Sequence, residues 1–136
     1  MRMVETSLRR IAALSLGALV ALVGVASAQA PSSGRLLVLL RDASALAIVD
    51  PESGNVLGQV PTGRDPHEVT ASADGRLAFV ASMVDGISVI DIAAREEIRR
   101  VAPGPGSQTH DVLFADGKLY FTIEGYKSIG RYDPAA

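Results

Sequence analysis

After Gly34 the apolar residues fall into short, evenly spaced runs, each closed by turn-forming residues. Residues 36–40 (LLVLL), 77–82 (LAFVAS) and 119–123 (LYFTI) are almost continuously apolar. Unbroken runs of this length predict strands in sheets covered on both faces. The runs 46–49 (LAIV) and 87–90 (ISVI) predict the next strand of each unit, and an Asp with turn residues follows them. Residues 56–60 and 97–101 are more polar, as an outer strand should be. Pro/Gly-rich connections then lead to 67–72 (HEVTAS) and 110–114 (HDVLF), a fourth strand type. Asp-Gly at 74–75 and at 116–117 predicts a tight turn into the next unit, because Gly tolerates positive φ.

These elements recur on a fixed period. The units are 35–75, 76–117 and 118–136, opened by Arg35, Arg76 and Lys118. Asp50, Asp91 and Asp133 return in register, as do the Asp-Gly pairs and His67 with His110. Four antiparallel strands in about 42 residues is the size of a propeller blade. A β-sandwich also has evenly spaced strands, but it gives no reason for the anchors to return on a period. The predicted fold is all-β, an incomplete β-propeller of four-stranded antiparallel blades, preceded by a signal-peptide helix.

Counted from the first apolar run, the chain supplies three strands, then four, then three, fewer than the four blades a closed ring needs. A blade face of strands ~17 Å long and ~4.8 Å apart projects roughly 300 Å². At ~25 cal/mol/Å² an uncovered face forfeits on the order of 8 kcal/mol, a large share of the ~5–15 kcal/mol of a whole domain. The expectation is a truncated piece of a larger ring, or a subunit that self-associates through its open blade faces or takes further propeller blades as partners.

The first 28 residues read differently. Arg2, Arg9 and Arg10 precede an uncharged apolar run over 11–26, and Ala26-Ser27-Ala28 offers a small-x-small cleavage site before Gln29. This is a signal peptide (1–28), followed by a flexible linker (29–34). An uncleaved anchor is the alternative, for which the run is somewhat short. The expected location is periplasmic or secreted, with no membrane association after cleavage. The chain has no cysteine, which excludes disulfides, thiolate metal sites and a cysteine nucleophile. Its net charge is −2, and the basic signal segment makes the remainder more acidic still. No basic stripe is left for a nucleic-acid partner.

The stretch from Asp65 to Ser82 (DPHEVTASADGRLAFVAS) resembles the YVTN-type β-propeller repeat family, and Ser88-Val89-Ile90-Asp91 matches its S-V-I-D run. Phe79–Ser82 and Tyr120–Ile123 occupy the YVTN place in degraded form, and the third unit departs with Ile129-Gly130-Arg131-Tyr132-Asp133. The resemblance covers 35–136 and implies the propeller fold. It implies no single function, since such propellers serve as binding surfaces, enzymes and structural modules.

His67 and His110 start the expected innermost strands, with Glu68 and Asp111 directly after them. Strand starts on that ring surround one mouth of the central channel, so these four are the candidate ligand-binding residues. The competing reading makes each His a loop cap in the repeat. Two His do not complete a zinc site, and the sequence names neither a metal nor a cofactor. Ser107 and Thr109 beside His110 show no third group for nucleophilic catalysis. Asp50, Asp91 and Asp133 read as turn caps, Arg95, Arg99 and Arg100 with Glu96 and Glu97 as a solvated edge, and Met83, Tyr120 and Tyr126 as packing. The expected function is an exported module that binds a small molecule or a protein. The alternative is a fragment of a propeller enzyme, lactonase-like or quinoprotein-dehydrogenase-like, with its site at the channel mouth.

Overall fold

The computed structural model describes residues 34–136. The expected signal peptide and nearly all of the linker lie outside the described residues. Ten strands form three antiparallel sheets. The first sheet is β1 (Leu36–Leu40), β2 (Ala45–Val49) and β3 (Val56–Pro61). The second is β4 (Pro66–Ala71), β5 (Leu77–Ser82), β6 (Gly86–Asp91) and β7 (Glu96–Val101). The third is β8 (Thr109–Ala115), β9 (Lys118–Ile123) and β10 (Ser128–Tyr132). A one-turn 3-10 segment, Glu124–Tyr126, joins β9 to β10. The fold is an all-β, incomplete propeller.

Period-two side-chain alternation builds two cores. Leu46 and Ile48 of β2 pack with Val60, Ala78, Val80 and Ile90 between the first and second sheets. Phe79, Ala81, Ile87 and Val89 pack with Val112, Leu119, Phe121 and Ile123 between the second and third. The middle sheet is thus covered on both faces, and this is why β5 and β6 read as unbroken apolar runs. β9 departs from that expectation. It alternates because Tyr120 lies on a face that no described sheet covers. Across the sheets β8 meets β4 and β5, β4 meets β1, and the outer strands β3 and β7 touch; β4 and β8 are the inner strands.

The crossings from an outer strand to the next inner strand are fixed by polar side chains. Gly63 N–H donates to Ser88 Oγ (3.0 Å), and the Thr109 hydroxyl donates to the Ser82 carbonyl (2.8 Å). Thr109 is fully buried, so its hydroxyl is committed to structure. Ser82 Oγ is also buried but lacks a hydrogen-bond partner. Such a group carries its desolvation penalty with nothing in return. Ser82→Ala should therefore leave stability unchanged or raise it slightly, within roughly 1 kcal/mol, as read from a urea midpoint.

Asp85 makes the densest polar contact on the crossings. Its carboxylate accepts from the Arg64 backbone N–H (2.8 Å), from Arg64 Nε (2.9 Å) and from Arg64 NH2 (2.9 Å). These bonds, the side-chain one first, hold its pKa at about 2. A depressed folded-state pKa gives stability that is present above the unfolded value of ~3.9 and lost as pH falls through the folded value. Asp85→Asn should be less stable than wild type at neutral pH, with the gap closing between about pH 4 and pH 2. Urea melts across that range read the difference.

The turn caps form as expected. Asp50 Oδ1 accepts from Glu52 and Ser53 N–H, Asp91 Oδ1 from Ala94 N–H and Asp133 Oδ1 from Ala135 N–H.

Candidate functional site

The inner strands β4 and β8 begin with the same local device. Asp65 and Gln108 each lie two residues before a histidine, and each has a left-handed backbone, φ +56° and +51°. Their carbonyls accept from the residue after the neighbouring strand, Met83 N–H for Asp65 and Glu124 N–H for Gln108, both at 3.0 Å. The pairing of each inner strand then slips. A bulge falls between Pro66 and Glu68 on β4, and another between Thr109 and Val112 on β8. A bulge leaves a residue unpaired and re-aims its side chain. Here the residues left out are His67 on β4 and His110 with Asp111 on β8.

The two imidazoles meet across the second and third sheets, with ring centroids 4.6 Å apart and planes tilted by 47°. His67 Nε2 lies 3.6 Å from Asp65 Oδ1, and the same oxygen accepts from Arg41 Nε in the β1–β2 turn. The Arg41 hydrogen bond holds the Asp65 carboxyl below the usual carboxylate range, with His67 adding to the effect. A polar line thus runs Arg41, Asp65, His67, His110, with members from all three sheets.

Of the four residues singled out from sequence, His67 and His110 come together. Asp111 is engaged in its own bulge. Its N–H donates to Thr122 Oγ1 (3.0 Å) and its Oδ1 accepts from Val112 N–H (2.8 Å). Glu68 is exposed on β4. Sequence reading missed Asp65 and Arg41, which lie 24 residues apart and meet only through the stacking of the first two sheets. The Asp-Pro-His triplet was the available signal for Asp65.

Among the described residues, no group of three or more His, Cys, Asp or Glu is arranged to hold a metal ion. A cavity of about 420 Å³ opens at the other end of β4 and β8, lined by Ser72, Ala73, Asp74, Leu77, Phe114, Gly117, Pro134 and Ala135. It is mainly apolar, and its polar side chains, Ser72 and Asp74, are hydrogen-bonded to each other. Among the described residues, no helix is long and apolar enough to cross a membrane.

The model of the cytochrome d1 heme domain matches residues 33–134. The chain belongs to the cytochrome d1 heme domain family. No curated protein matches it. Hydrazine synthase from Kuenenia stuttgartiensis superposes with a TM-score of 0.69 at 20% identity, over 75% of this chain and 30% of that one. A catalytically inactive virginiamycin B lyase from Staphylococcus aureus, solved with quinupristin, gives 0.62 at 20% identity, over 76% and 36%. A streptogramin B lyase gives 0.58 at 17% identity, over 74% and 38%. At these identities the likeness is one of fold, and the chain spans about a third of the length of each.

The family implies a heme, and the donor chemistry can be tested against it. Imidazole is an established ligand of heme iron. A ligand His is usually oriented by a carboxylate or carbonyl behind it, and Asp65 is the carboxylate beside His67, 3.6 Å from Nε2 and so near the ring without hydrogen-bonding it. The two imidazoles supply the donor type that a heme iron takes.

Proposed function

We propose that this family member is an exported ligand-binding propeller module and that His67 and His110 line its ligand mouth. The observation that carries this reading is the contact between the two imidazoles, made by bulges at the starts of two inner strands. Family membership favours a heme-type ligand, and the charged N-terminus followed by an apolar run favours export to the periplasm or outside the cell.

His67 is the residue that would hold the iron, with the Asp65 carboxylate beside its ring. His110, packed on that ring, would limit its rotation. Arg41 ties Asp65 in place and puts a cation at the rim, suited to a ligand bearing carboxylates. A bound heme would supply redox chemistry at its iron.

The test is a titration of the chain with hemin, followed at the Soret band. Wild type should shift the band with saturation, His67→Ala should weaken binding at least tenfold, and His110→Ala should weaken it less. Unchanged far-UV circular dichroism separates lost binding from lost fold. Equal binding by wild type and a His67→Ala/His110→Ala variant would overturn the reading.

A further inference from the structure

At the end of the first two sheets away from His67, three arginines share a cleft. A cavity of about 270 Å³ opens between these sheets, lined by Arg35, Arg76 and Arg95 together with Ile48, Leu57 and Ile92. Ile48 is buried, and Leu57 and Ile92 pack against the core between the sheets. The lining therefore joins an apolar wall to three cations. Arg35 lies just before β1, Arg76 just before β5 and Arg95 in the turn from β6 to β7.

The repeat shows what is unusual about two of them. Asp50 and Asp91 open equivalent turns, and each carbonyl accepts at 2.8 Å from the fourth residue on, Gly54 N–H in the first sheet and Arg95 N–H in the second. Both donors have a left-handed backbone, φ +72° and +58°. Glycine adopts it freely, whereas the β-carbon of an arginine is strained there. Strain of this kind gathers at ligand sites. The arginine is also given room. A β-carbon at Gly58 would lie 2.6 Å from Arg95 Cδ. Gly58 pairs Ile48 on β2 and so lies on the face turned to the second sheet. A glycine inside a strand marks a close approach, and here the approaching group is the Arg95 stem. Arg76 departs from its repeat differently. Its counterpart Lys118 pairs with Asp133 at 2.6 Å, whereas Asp91 caps Ala94 N–H and leaves Arg76 unpaired. Among the described residues neither Arg76 nor Arg95 forms an ion pair.

We propose that this cleft binds a small organic carboxylate, with Arg76 and Arg95 on the carboxylate and Ile48, Leu57 and Ile92 against its hydrocarbon part. A guanidinium presents a planar fork of donors that matches a carboxylate. The protein's own carboxylates at this end are engaged elsewhere. Asp50 Oδ1 accepts from Glu52 and Ser53 N–H, and Asp74 Oδ1 from the Ser72 hydroxyl and Arg76 N–H. The cavity is just under the ~300 Å³ at which ligand pockets begin, so the ligand is small and its dissociation constant falls at roughly 0.1–10 mM. The proposal does not rest on the histidine mouth.

Nuclear magnetic resonance of the isotope-labelled full chain, titrated with hexanoate to about 50 mM at constant pH and ionic strength, tests it. The amide signals of Gly75, Ile92 and Arg95 should shift and saturate. Hexanol keeps the hydrocarbon without the charge, and inorganic phosphate keeps a charge without the hydrocarbon. Each should bind at least about tenfold more weakly. Arg95→Gly installs the residue that the first turn uses, so it should keep the circular dichroism of wild type and weaken hexanoate binding at least about tenfold. Gly58→Ala leaves every guanidinium in the chain but displaces the Arg95 stem, and should weaken binding at least about threefold. Arg131→Gln, on β10, removes the same charge away from the cleft and should bind like wild type. Shifts that grow without saturating would overturn the proposal. So would phosphate or hexanol binding as tightly as hexanoate, or binding unchanged in Arg95→Gly.

Discussion

Phe79→Ala is expected to destabilise the chain by about 3–5 kcal/mol, enough to unfold much of a marginal domain at 25 °C. Phe79 is fully buried, and its ring stacks on Phe114 of the next sheet, with centroids 5.4 Å apart and planes at 10°. The substitution removes the largest fully buried side chain among the described residues and leaves a cavity that two hydrogen-bonded sheets cannot collapse around. Tyr120→Ala is the matched control. Tyr120 occupies the corresponding position one sheet on, since Val112 pairs Phe121 as Val69 pairs Val80 and Tyr120 pairs Arg131 as Phe79 pairs Val89, but it is 36% exposed, so its loss should cost under about 1 kcal/mol. Urea denaturation read by tryptophan-free far-UV circular dichroism gives both values. Equal effects at Phe79 and Tyr120 would mean that the face of the second sheet is not covered as described.

Gly86→Ala should cost about 3 kcal/mol or more, for two reasons that add. The backbone there has φ +86°, a region in which a β-carbon is strained. That β-carbon would also lie 2.4 Å from the Val101 carbonyl oxygen and 3.1 Å from Ala102 Cα. Both contacts are backbone, so no side-chain rotation relieves them. β6 and β7 would have to part at the point where Ile87 pairs Val101. Gly75→Ala isolates the first reason. Gly75 has φ +70° with open space around it, so the cost should stay near 1 kcal/mol. The difference between the two urea midpoints measures the clash alone.

The strands were legible because burial on both faces writes itself as unbroken apolar runs. β5 lies where 77–82 predicted it and is buried on both faces, whereas β1 lies at 36–40 as predicted although it is exposed or half-buried along its length. The 3-10 segment Glu124–Tyr126 was not legible, since it replaces a turn whose residues carry no helix signal. The uneven spacing of the anchors has a physical source that composition hides. His67 to Gly75 spans one residue more than His110 to Gly117. At 116–117 both Asp and Gly have positive φ, and Ala115 pairs Lys118 across a two-residue hairpin. At 74–75 only Gly75 does, and Ala71 pairs Ala78 across a longer loop closed by Ser72 and Leu77. One dipeptide thus serves two turns, and the choice depends on the flanking register.

The site was half legible for the same kind of reason. The period brought His67 and His110 to equivalent positions, but a repeat predicts equivalence and not contact. Contact requires both bulges and both left-handed residues, and neither Asp65 nor Gln108 advertises its backbone. Asp111 read as a candidate ligand-binding residue because sequence cannot show a carboxylate folding back on its own bulge. The Arg41–Asp65 pair is a product of sheet stacking alone.

The chain has two histidines, so their ring protons can be assigned by losing one set at a time in His67→Ala and His110→Ala. A nuclear Overhauser spectrum of the folded chain then tests whether the starts of β4 and β8 meet. Rings with centroids 4.6 Å apart should give a cross-peak between the His67 and His110 imidazole protons. A well-dispersed β-sheet spectrum with both rings assigned and no such cross-peak would contradict the stacking of the inner strands, and with it the ligand mouth.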